Sequence, residues 1–193
     1  LSYFSIKNFD DFLKKFDLRI VEVEHMNVKG GSLRFIISHL SNKTLIKNNT
    51  LFKKSIDLEK KEKIHLKSSF NKIKKINNKN AILNKKFMKK IYKNNKIICG
   101  YGASVGTTTL INYYGLNSYF KYIFDDERKR HNLYLPGSKI KVLSSKKIKK
   151  IKPDYIYIFA WRYAKQIIKK NKDYIKDGGT FVIPLPKFKL IRN

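Results

Sequence analysis

Residues 97–109 of this 193-residue chain read I-I-C-G-Y-G-A-S-V-G-T-T-T. A short apolar run meets three glycines, Gly100, Gly102 and Gly106, just before a helix-forming stretch over 107–114. This pattern is typical of a buried parallel strand that turns tightly into a helix. Glycines let a backbone approach a phosphate closely, and the N-terminus of a helix favours negative charge. The stretch therefore predicts an α/β fold with an anionic ligand near this turn.

A carboxylate, Asp125, ends the next apolar run, at 122–124. In dinucleotide-binding folds an acidic residue at this place accepts a hydrogen bond from a ribose hydroxyl. The glycine spacing, however, is G-x-G-x-x-x-G, with Val105 where the standard fingerprint has its third glycine. Such turns also occur for packing alone, so a ligand-holding turn and a packing turn both fit these residues.

From residue 96 to the end, strand and helix patterns alternate. Strands are predicted at 96–99, 122–124, 139–143, 155–159 and 180–184, and helices at 107–114, 144–150 and 163–174. The strand cores are continuously apolar, as burial on both faces of a parallel sheet requires. Residues 96–193 are therefore predicted to form a Rossmann-like domain with a mostly parallel sheet flanked by helices.

Residues 1–40 have a different pattern, which predicts a helix and two strands. Ser5 can cap a helix in which apolar residues recur every three or four positions (Ile6, Phe9, Leu13 and Phe16). Strands at 19–26 and 32–38 are joined through a Lys-Gly-Gly turn. Two strands do not complete a sheet, so this segment is interpreted as the end of a larger α/β domain.

Residues 41–95 are predicted to form a lysine-rich helical connector. The stretch 43–96 contains 18 lysines and only three acidic residues. Its apolar residues recur with the period of a helix, which predicts that one face of the helix is packed. The residues of this stripe are Leu66, Phe70, Ile73, Ile76, Leu83, Phe87 and Ile91. Asn77, Asn78 and Asn80 are expected to weaken or break this helix in its middle. A polybasic arm for membrane or RNA is the alternative.

The net charge of +30 raises the question of a nucleic-acid partner. Lysine supplies 38 of the 44 basic residues and arginine only 6, whereas proteins that read base sequence favour the bidentate contacts of arginine. Abundant Lys, Ile and Asn together are typical of AT-rich coding. We therefore expect a lysine-coated surface and no specific nucleic-acid partner, although polyanions will adhere at low salt.

Cys99 is the only cysteine and falls in a predicted central strand. It is expected to be an inert core thiol, which fits a reducing, cytoplasmic location. No run approaches the roughly 18 apolar residues of a membrane span. The chain starts at Leu1 rather than methionine, so we expect it to be a fragment.

Six blocks along the chain together resemble one family. They are LSYFS (1–5), GGSLR (30–34), GYGA (100–103), YLPGS (134–138), KPDY with a following Ala-Trp (152–155 and 160–161), and GGTFVIPLP (178–186). In this order they resemble the C-terminal part of the sugar C-methyltransferases, which use S-adenosylmethionine to methylate a carbon of nucleotide-linked keto-sugars.

The resemblance implies an organisation for the whole protein. Residues 1–40 would be the last helix and two strands of a class I methyltransferase domain, and 96–193 the Rossmann-like C-terminal domain. The S-adenosylmethionine site, a catalytic base just before Leu1 and an N-terminal zinc domain would lie upstream. The fragment would then bind no cofactor or metal itself, contain no catalytic residue and be inactive alone. Its partners would be a nucleotide-diphosphate sugar and the rest of the polypeptide.

The resemblance also implies that substrate lies against the C-terminal domain, where open sheets bind ligands beyond the carboxyl ends of their strands. The candidate substrate-binding residues are Tyr3, Gly102, Ala103, Ser104, Thr107, Asp125, Tyr134, Pro136, Gly137 and Trp161. Leu135-Pro136-Gly137 could equally be a plain type II turn. The four histidines lack metal-binding spacing, and each is expected to have a structural or surface role. Of the four, His131 is the candidate for a ligand contact, because it follows Asp125 and Asp126 in a loop at the strand ends.

Two other functions remain open at this point. One is a free-standing, NAD-type dinucleotide-binding domain, which rests on the glycine turn and Asp125. The other is a basic nucleic-acid-binding module built on the lysine-rich segment.

Overall fold

The computed structural model describes residues 4–28, 31–44 and 50–193. They fall into two compact units, Leu1–Lys75 and Ile76–Asn193. The elements in chain order are α1 (Ile6–Lys14), β1 (Leu18–Met26), β2 (Ser32–His39), α2 (Thr50–Lys61), α3 (Lys67–Lys93), β3 (Ile98–Tyr101), α4 (Val105–Tyr114), β4 (Tyr122–Asp125), β5 (Lys141–Ser144), α5 (Ile148–Ile151), β6 (Tyr155–Ile158), α6 (Ala164–Lys170), α7 (Lys172–Lys176), β7 (Thr180–Ile183) and β8 (Lys189–Ile191). Among these helices, none has a stretch apolar and long enough to cross a bilayer.

In the first unit, α1 packs against an antiparallel pair formed by β1 and β2. The predicted helix and both strands are confirmed, and the Ser5 hydroxyl accepts a hydrogen bond from the Asn8 amide at 3.2 Å, as expected of an N-cap. Phe16 was predicted to continue the apolar face, but this is wrong: it lies beyond the end of α1 and is 57% exposed. Residues 29 and 30 of the predicted turn lie outside the described residues.

The lysine-rich segment is helical, but it breaks at a different place from the one predicted. The interruption falls between α2 and α3, whereas α3 runs without a break through Asn77, Asn78 and Asn80. Two of these asparagines hydrogen-bond to neighbours: the Tyr113 hydroxyl donates to Asn78, and the Asn80 carbonyl accepts from Asn84. Asparagine lowers helix propensity only modestly, so these contacts are enough to keep the helix continuous.

The predicted apolar stripe of this segment packs only near its end. Ile91 is buried and Phe87 is partly buried, whereas the five residues before them in the stripe are at least 40% exposed: Leu66, Phe70, Ile73, Ile76 and Leu83. The side chains of α3 that are fully or almost fully buried are Asn84, Met88 and Ile91. Only the C-terminal part of α3 is therefore packed into the core of the second unit.

The second unit contains a six-stranded sheet in the order β5-β4-β3-β6-β7-β8. The first five strands in this order are parallel, and β8 pairs antiparallel with β7. This confirms the predicted α/β class and mostly parallel sheet. All five predicted strands are present, displaced by at most two residues at either end. The short edge strand β8 was not predicted, because three residues that include a lysine carry no clear pattern.

Helices cover both faces of this sheet. Met88 and Ile91 of α3 and Ile111 of α4 pack into the core on one face. Ile148 of α5 and Ile167 of α6 pack into the core on the other. The helix predicted at 163–174 is divided at Asn171 into α6 and α7, and the one predicted at 144–150 is a 3-10 turn followed by α5.

Cys99 lies in the centre of β3 and is fully buried. Burial raises the pKa of its thiol to about 12, so the thiolate is scarcely populated at neutral pH. The prediction of an inert core thiol is confirmed.

Candidate functional site

The strand order of the second unit determines where its crevice lies. From β3 the chain proceeds through β4 to β5 on one side of the sheet, and β6 to β8 occupy the other side. The order therefore reverses between β3 and β6, and in open α/β sheets ligands bind beyond the carboxyl ends of the strands at such a point. We call the space bordered by residues 102–106 and 160–162 the switch-point crevice.

The two loops of this crevice touch each other. Phe159 and Ala160, which follow β6, both donate their amides to the Tyr101 carbonyl, at 2.9 and 3.2 Å. Gly102 has φ +95°, and a Cβ there would lie only 2.7 Å from the Ala160 Cβ. Both the positive φ and the close approach require glycine at this position.

The amides at the start of the glycine turn are engaged within the protein. Gly102 donates to the Phe124 carbonyl at 2.7 Å, Ala103 to Asp125 Oδ2 at 2.6 Å, and Ser104 to Thr107 Oγ1 at 3.2 Å. The fully buried Thr107 hydroxyl donates in turn to the Gly102 carbonyl. These groups shape the turn, whereas Val105 and Gly106 are the first residues of α4, and their amides have no acceptor within the helix.

Asp125, the predicted ribose reader, lies at the end of β4 and is 5% exposed. Its Oδ2 accepts from Ala103 and lies 3.1 Å from Nη1 of Arg130, and its Oδ1 accepts from the Glu127 amide at 2.8 Å. A carboxylate accepts about four hydrogen bonds, so little capacity remains for a ligand hydroxyl. Through these hydrogen bonds Asp125 links the glycine turn to the loop after β4.

Trp161 and Arg162 form the other side of the crevice. They follow β6 in a 3-10 turn, Trp161–Tyr163. The guanidinium carbon of Arg162 lies 4.5 Å from the centre of the Trp161 ring, which is within cation–π distance. Trp161 is partly buried and Arg162 is exposed. This pair provides a cation and an aromatic face in the loop whose Ala160 contacts Gly102.

The residues of this crevice lie within a match to a known family model. The model for the C-methyltransferase C-terminal domain matches residues 27–186. The chain belongs to this family. It is also 24% identical over 191 residues to the C-methyltransferase NovU of Streptomyces niveus, covering 98% of this chain and 45% of NovU. It thus spans less than half the length of that relative.

Among solved structures, UDP-D-quinovosamine 4-dehydrogenase from Vibrio fischeri matches part of the chain. The sequence identity is 18% and the TM-score 0.37, and the match covers 50% of this chain and 93% of the other. The family assignment of this C-methyltransferase C-terminal domain rests on the sequence matches and not on this likeness.

Three of the sequence-predicted site residues lie elsewhere in the C-methyltransferase C-terminal domain. Tyr134 pairs antiparallel with Lys141, the first residue of β5, so the following turn lies near the amino end of the sheet. Gly137 has φ +71°, and Ser138 donates its amide to the Leu135 carbonyl at 3.0 Å, as in a type II turn. Contrary to expectation, Tyr134, Pro136 and Gly137 therefore do not border the switch-point crevice.

The other site residues predicted from the sequence differ in what they contact in the structure. Gly102, Ala103 and Ser104 lie in the glycine turn and Trp161 in the facing loop after β6, while Thr107 and Asp125 support the turn through hydrogen bonds. Tyr3 lies outside the described residues. His131 contacts the protein itself, with Nε2 2.9 Å from the Asp125 carbonyl oxygen. Among the described residues there is no cluster of three or more His, Cys, Asp or Glu side chains that could hold a metal.

A polar cluster that the sequence analysis missed lies on the α5–α7 face, at the carboxyl ends of β3 and β4. Asp126 accepts hydrogen bonds from Tyr101 at 2.9 Å and from Ser145 and Lys170 at 2.5 Å. Burial raises the pKa of the Tyr101 hydroxyl to about 12, with Asp126 contributing, so it stays protonated and donates. The consecutive carboxylates Asp125, at the end of β4, and Asp126, directly after it, were the sequence signal for this cluster. Neighbouring residues of extended backbone face opposite sides, so the two side chains reach different partners.

A groove of about 630 Å³ opens beside this cluster, lined by residues that include Ser145, Lys146, Lys170 and Asn171. Its size falls within the range of small-molecule sites. No residue of the switch-point crevice lines it.

We expect Asp126 to stabilise the fold in a pH-dependent way. Burial alone would raise the pKa of Asp126, but hydrogen bonds from Lys170, Ser145 and Tyr101 outweigh it, and the net pKa is lowered. A lowered pKa gives stability that is complete above the unfolded-state value, about 3.9, and is lost as pH falls through the folded-state value. Asp126→Asn should therefore lower the free energy of unfolding by about 1 kcal/mol at pH 7, allowing for the exposure of the site.

The measurement is urea unfolding of both proteins at pH 7, 5 and 3, where the difference should shrink toward the lowest pH. Asp173→Asn is the matched control, because it removes a carboxylate paired with a lysine on the surface of the same unit; little change is expected. A difference that grows as pH falls would contradict this account of Asp126.

Proposed function

We propose that this chain is the nucleotide-sugar-binding part of a sugar C-methyltransferase that uses S-adenosylmethionine. The observation that carries the proposal is the family match over residues 27–186. It is supported by the loop after β6, which contacts the glycine turn through Ala160 and carries an exposed Arg162 and a partly buried Trp161. An anionic diphosphate and a planar base are the ligand features that these groups suit.

The chemistry of carbon methylation defines what this part contributes. Removal of a proton from the carbon next to a ketone leaves a nucleophilic carbon, and S-adenosylmethionine supplies the electrophilic methyl group. Transfer requires that this carbon be held in line with the donor, so binding energy from the nucleotide can fix the position of a distant sugar. We assign the crevice this positioning role and no proton transfer.

The residues of the crevice do not suit S-adenosylmethionine itself. Asp125, the acidic group that the sequence predicts to contact a ribose, is buried and binds Ala103, Glu127 and Arg130. The same contacts speak against an NAD-type site. We therefore propose that the cofactor, the catalytic base and a zinc domain belong to parts of the whole protein outside these 193 residues, and that this chain alone transfers no methyl group.

Isothermal titration calorimetry of the 193-residue chain with thymidine diphosphate, uridine diphosphate and NAD tests the proposal. We expect saturable binding of one nucleoside diphosphate and no binding of NAD. The titrations need 150 mM salt, because a net charge of +30 attracts any polyanion at low ionic strength. A titration with inorganic pyrophosphate measures the non-specific electrostatic attraction that remains at this salt concentration.

A variant at the opposite end of the sheet tests where the nucleotide binds. Tyr134 is an exposed aromatic residue next to the turn near the amino end of the sheet, so Tyr134→Ala should leave binding unchanged. Binding of NAD without any binding of nucleoside diphosphates up to millimolar ligand would reject the proposal. Loss of binding in Tyr134→Ala would instead place the ligand at the other end of the sheet.

A further inference from the structure

We propose that Arg162, stacked on Trp161, binds the diphosphate of the ligand and thereby selects diphosphates over monophosphates and free nucleosides. This inference rests on the proposed function and deepens it by naming the residue that reads the ligand's charge.

The position of Arg162 is the first argument. It is separated from Ala160 only by Trp161, and Ala160 is the residue against which Gly102 packs, with a Cβ-to-Cβ approach of 2.7 Å for any side chain at 102. The backbone of Arg162 therefore lies two residues beyond the contact between the loops after β3 and β6. We expect a ligand that lies across these two loops to meet Arg162.

The charge balance around the crevice is the second argument. Asp125, the last residue of β4 and the carboxylate that supports the glycine turn, is paired with Arg130 at 3.1 Å. Arg162, in contrast, has no carboxylate within 4.0 Å among the residues that the structure describes. Arg162 is therefore a positive charge that no carboxylate of the described residues compensates, which favours an anionic ligand.

The stacking on Trp161 is the third argument. With its guanidinium carbon 4.5 Å from the ring centre, Arg162 is restrained over an aromatic face, so it loses less conformational freedom when it binds a ligand. Its N–H donors remain exposed and match two phosphate oxygens in a bidentate arrangement. A lysine has the charge but neither the planar fork nor the same stacking.

The experiment compares a nucleoside diphosphate, its monophosphate and the free nucleoside by calorimetry at 150 mM salt. The wild-type chain should bind them in decreasing order. Arg162→Gln should weaken diphosphate binding about tenfold to a hundredfold, the range expected for lost charged hydrogen bonds, and leave nucleoside binding unchanged. Arg162→Lys should fall between the two.

Arg192→Gln is the matched control. It removes the same charge at an exposed position directly after β8, near the amino end of the sheet, and should bind diphosphate like wild type. Trp161→Phe should retain most of the diphosphate preference, and Trp161→Leu should lose it, because Trp161 acts by positioning Arg162. Circular dichroism checks that each variant is folded.

The outcomes separate this inference from the function on which it rests. Wild-type diphosphate binding that Arg162→Gln leaves unchanged overturns the role of Arg162 and retains the proposed function. An equal loss in Arg192→Gln also overturns it, since total charge would then explain the effect. No diphosphate binding by wild type rejects both proposals.

Discussion

Gly102→Ala should be the most damaging single substitution in the switch-point crevice. Alanine at φ +95° is strained, and its Cβ would lie 2.7 Å from the Ala160 Cβ and 3.1 Å from the Ala160 nitrogen. Backbone is one of the two groups that must move, so a rotamer change cannot relieve the clash. We expect the free energy of unfolding of the second unit to fall by about 3 kcal/mol, the sum of backbone strain and overpacking.

Urea unfolding followed by tryptophan fluorescence measures this loss, because Trp161 is the only tryptophan and lies in the second unit. Gly137→Ala is the matched control. Its φ is also positive, at +71°, but a Cβ there meets nothing within 4 Å, so only the strain, about 1 kcal/mol, should remain. Equal losses in the two variants would show that the contact with Ala160 contributes nothing.

Gly102→Ala should also weaken ligand binding. Separating the loops after β3 and β6 should move Trp161 and Arg162 relative to the glycine turn, even in molecules that stay folded. We therefore expect reduced nucleoside diphosphate binding in Gly102→Ala and unchanged binding in Gly137→Ala.

Asn84→Ala should have the second largest effect, through a buried hydrogen bond. The Tyr157 hydroxyl donates to Asn84 Oδ1 at 2.7 Å, and both residues are fully buried. Burial, with Tyr114 nearby, raises the pKa of Tyr157, so its hydroxyl is always a donor at ordinary pH. Without Asn84 this donor has lost its acceptor in the core, and we expect a loss of about 2 kcal/mol in the free energy of unfolding.

The same helix offers a matched control. Asn78 of α3 accepts a hydrogen bond from the Tyr113 hydroxyl at 2.9 Å, but this pair is exposed, so Asn78→Ala should change the stability by less than about 0.5 kcal/mol. Adding Tyr157→Phe to Asn84→Ala should restore part of the loss, because the unpaired hydroxyl is then gone. A double variant no more stable than Asn84→Ala would exclude the buried hydroxyl as the cause.

Most of the fold follows from local sequence. Continuous apolar runs predicted the five parallel strands, since burial on both faces leaves no alternation. The glycine turn after β3 and the helix cap at Ser5 could also be predicted from the sequence. A positive φ favours glycine and a helix N-terminus favours a hydroxyl side chain, and both preferences act within a few residues. The predictions failed where a contact with a residue far along the chain determines which side chain is buried. Asn84 is buried and Leu83 exposed because Tyr157, 73 residues away, supplies the hydrogen bond.

The candidate site also combines features that the sequence predicts with features that only the folded structure shows. The sequence by itself determined the glycine turn, the aromatic residue after β6 and the family that they resemble, which the match over residues 27–186 confirmed. Only the tertiary structure decided which of these residues meet. The pairing of Tyr134 with Lys141 places Pro136 and Gly137 near the amino end of the sheet, and the contacts of Asp125 with Ala103 and Arg130 make it a support of the turn. Strand pairing and side-chain contacts depend on how the folded chain brings its segments together, so the local pattern of apolar residues and glycines does not specify them.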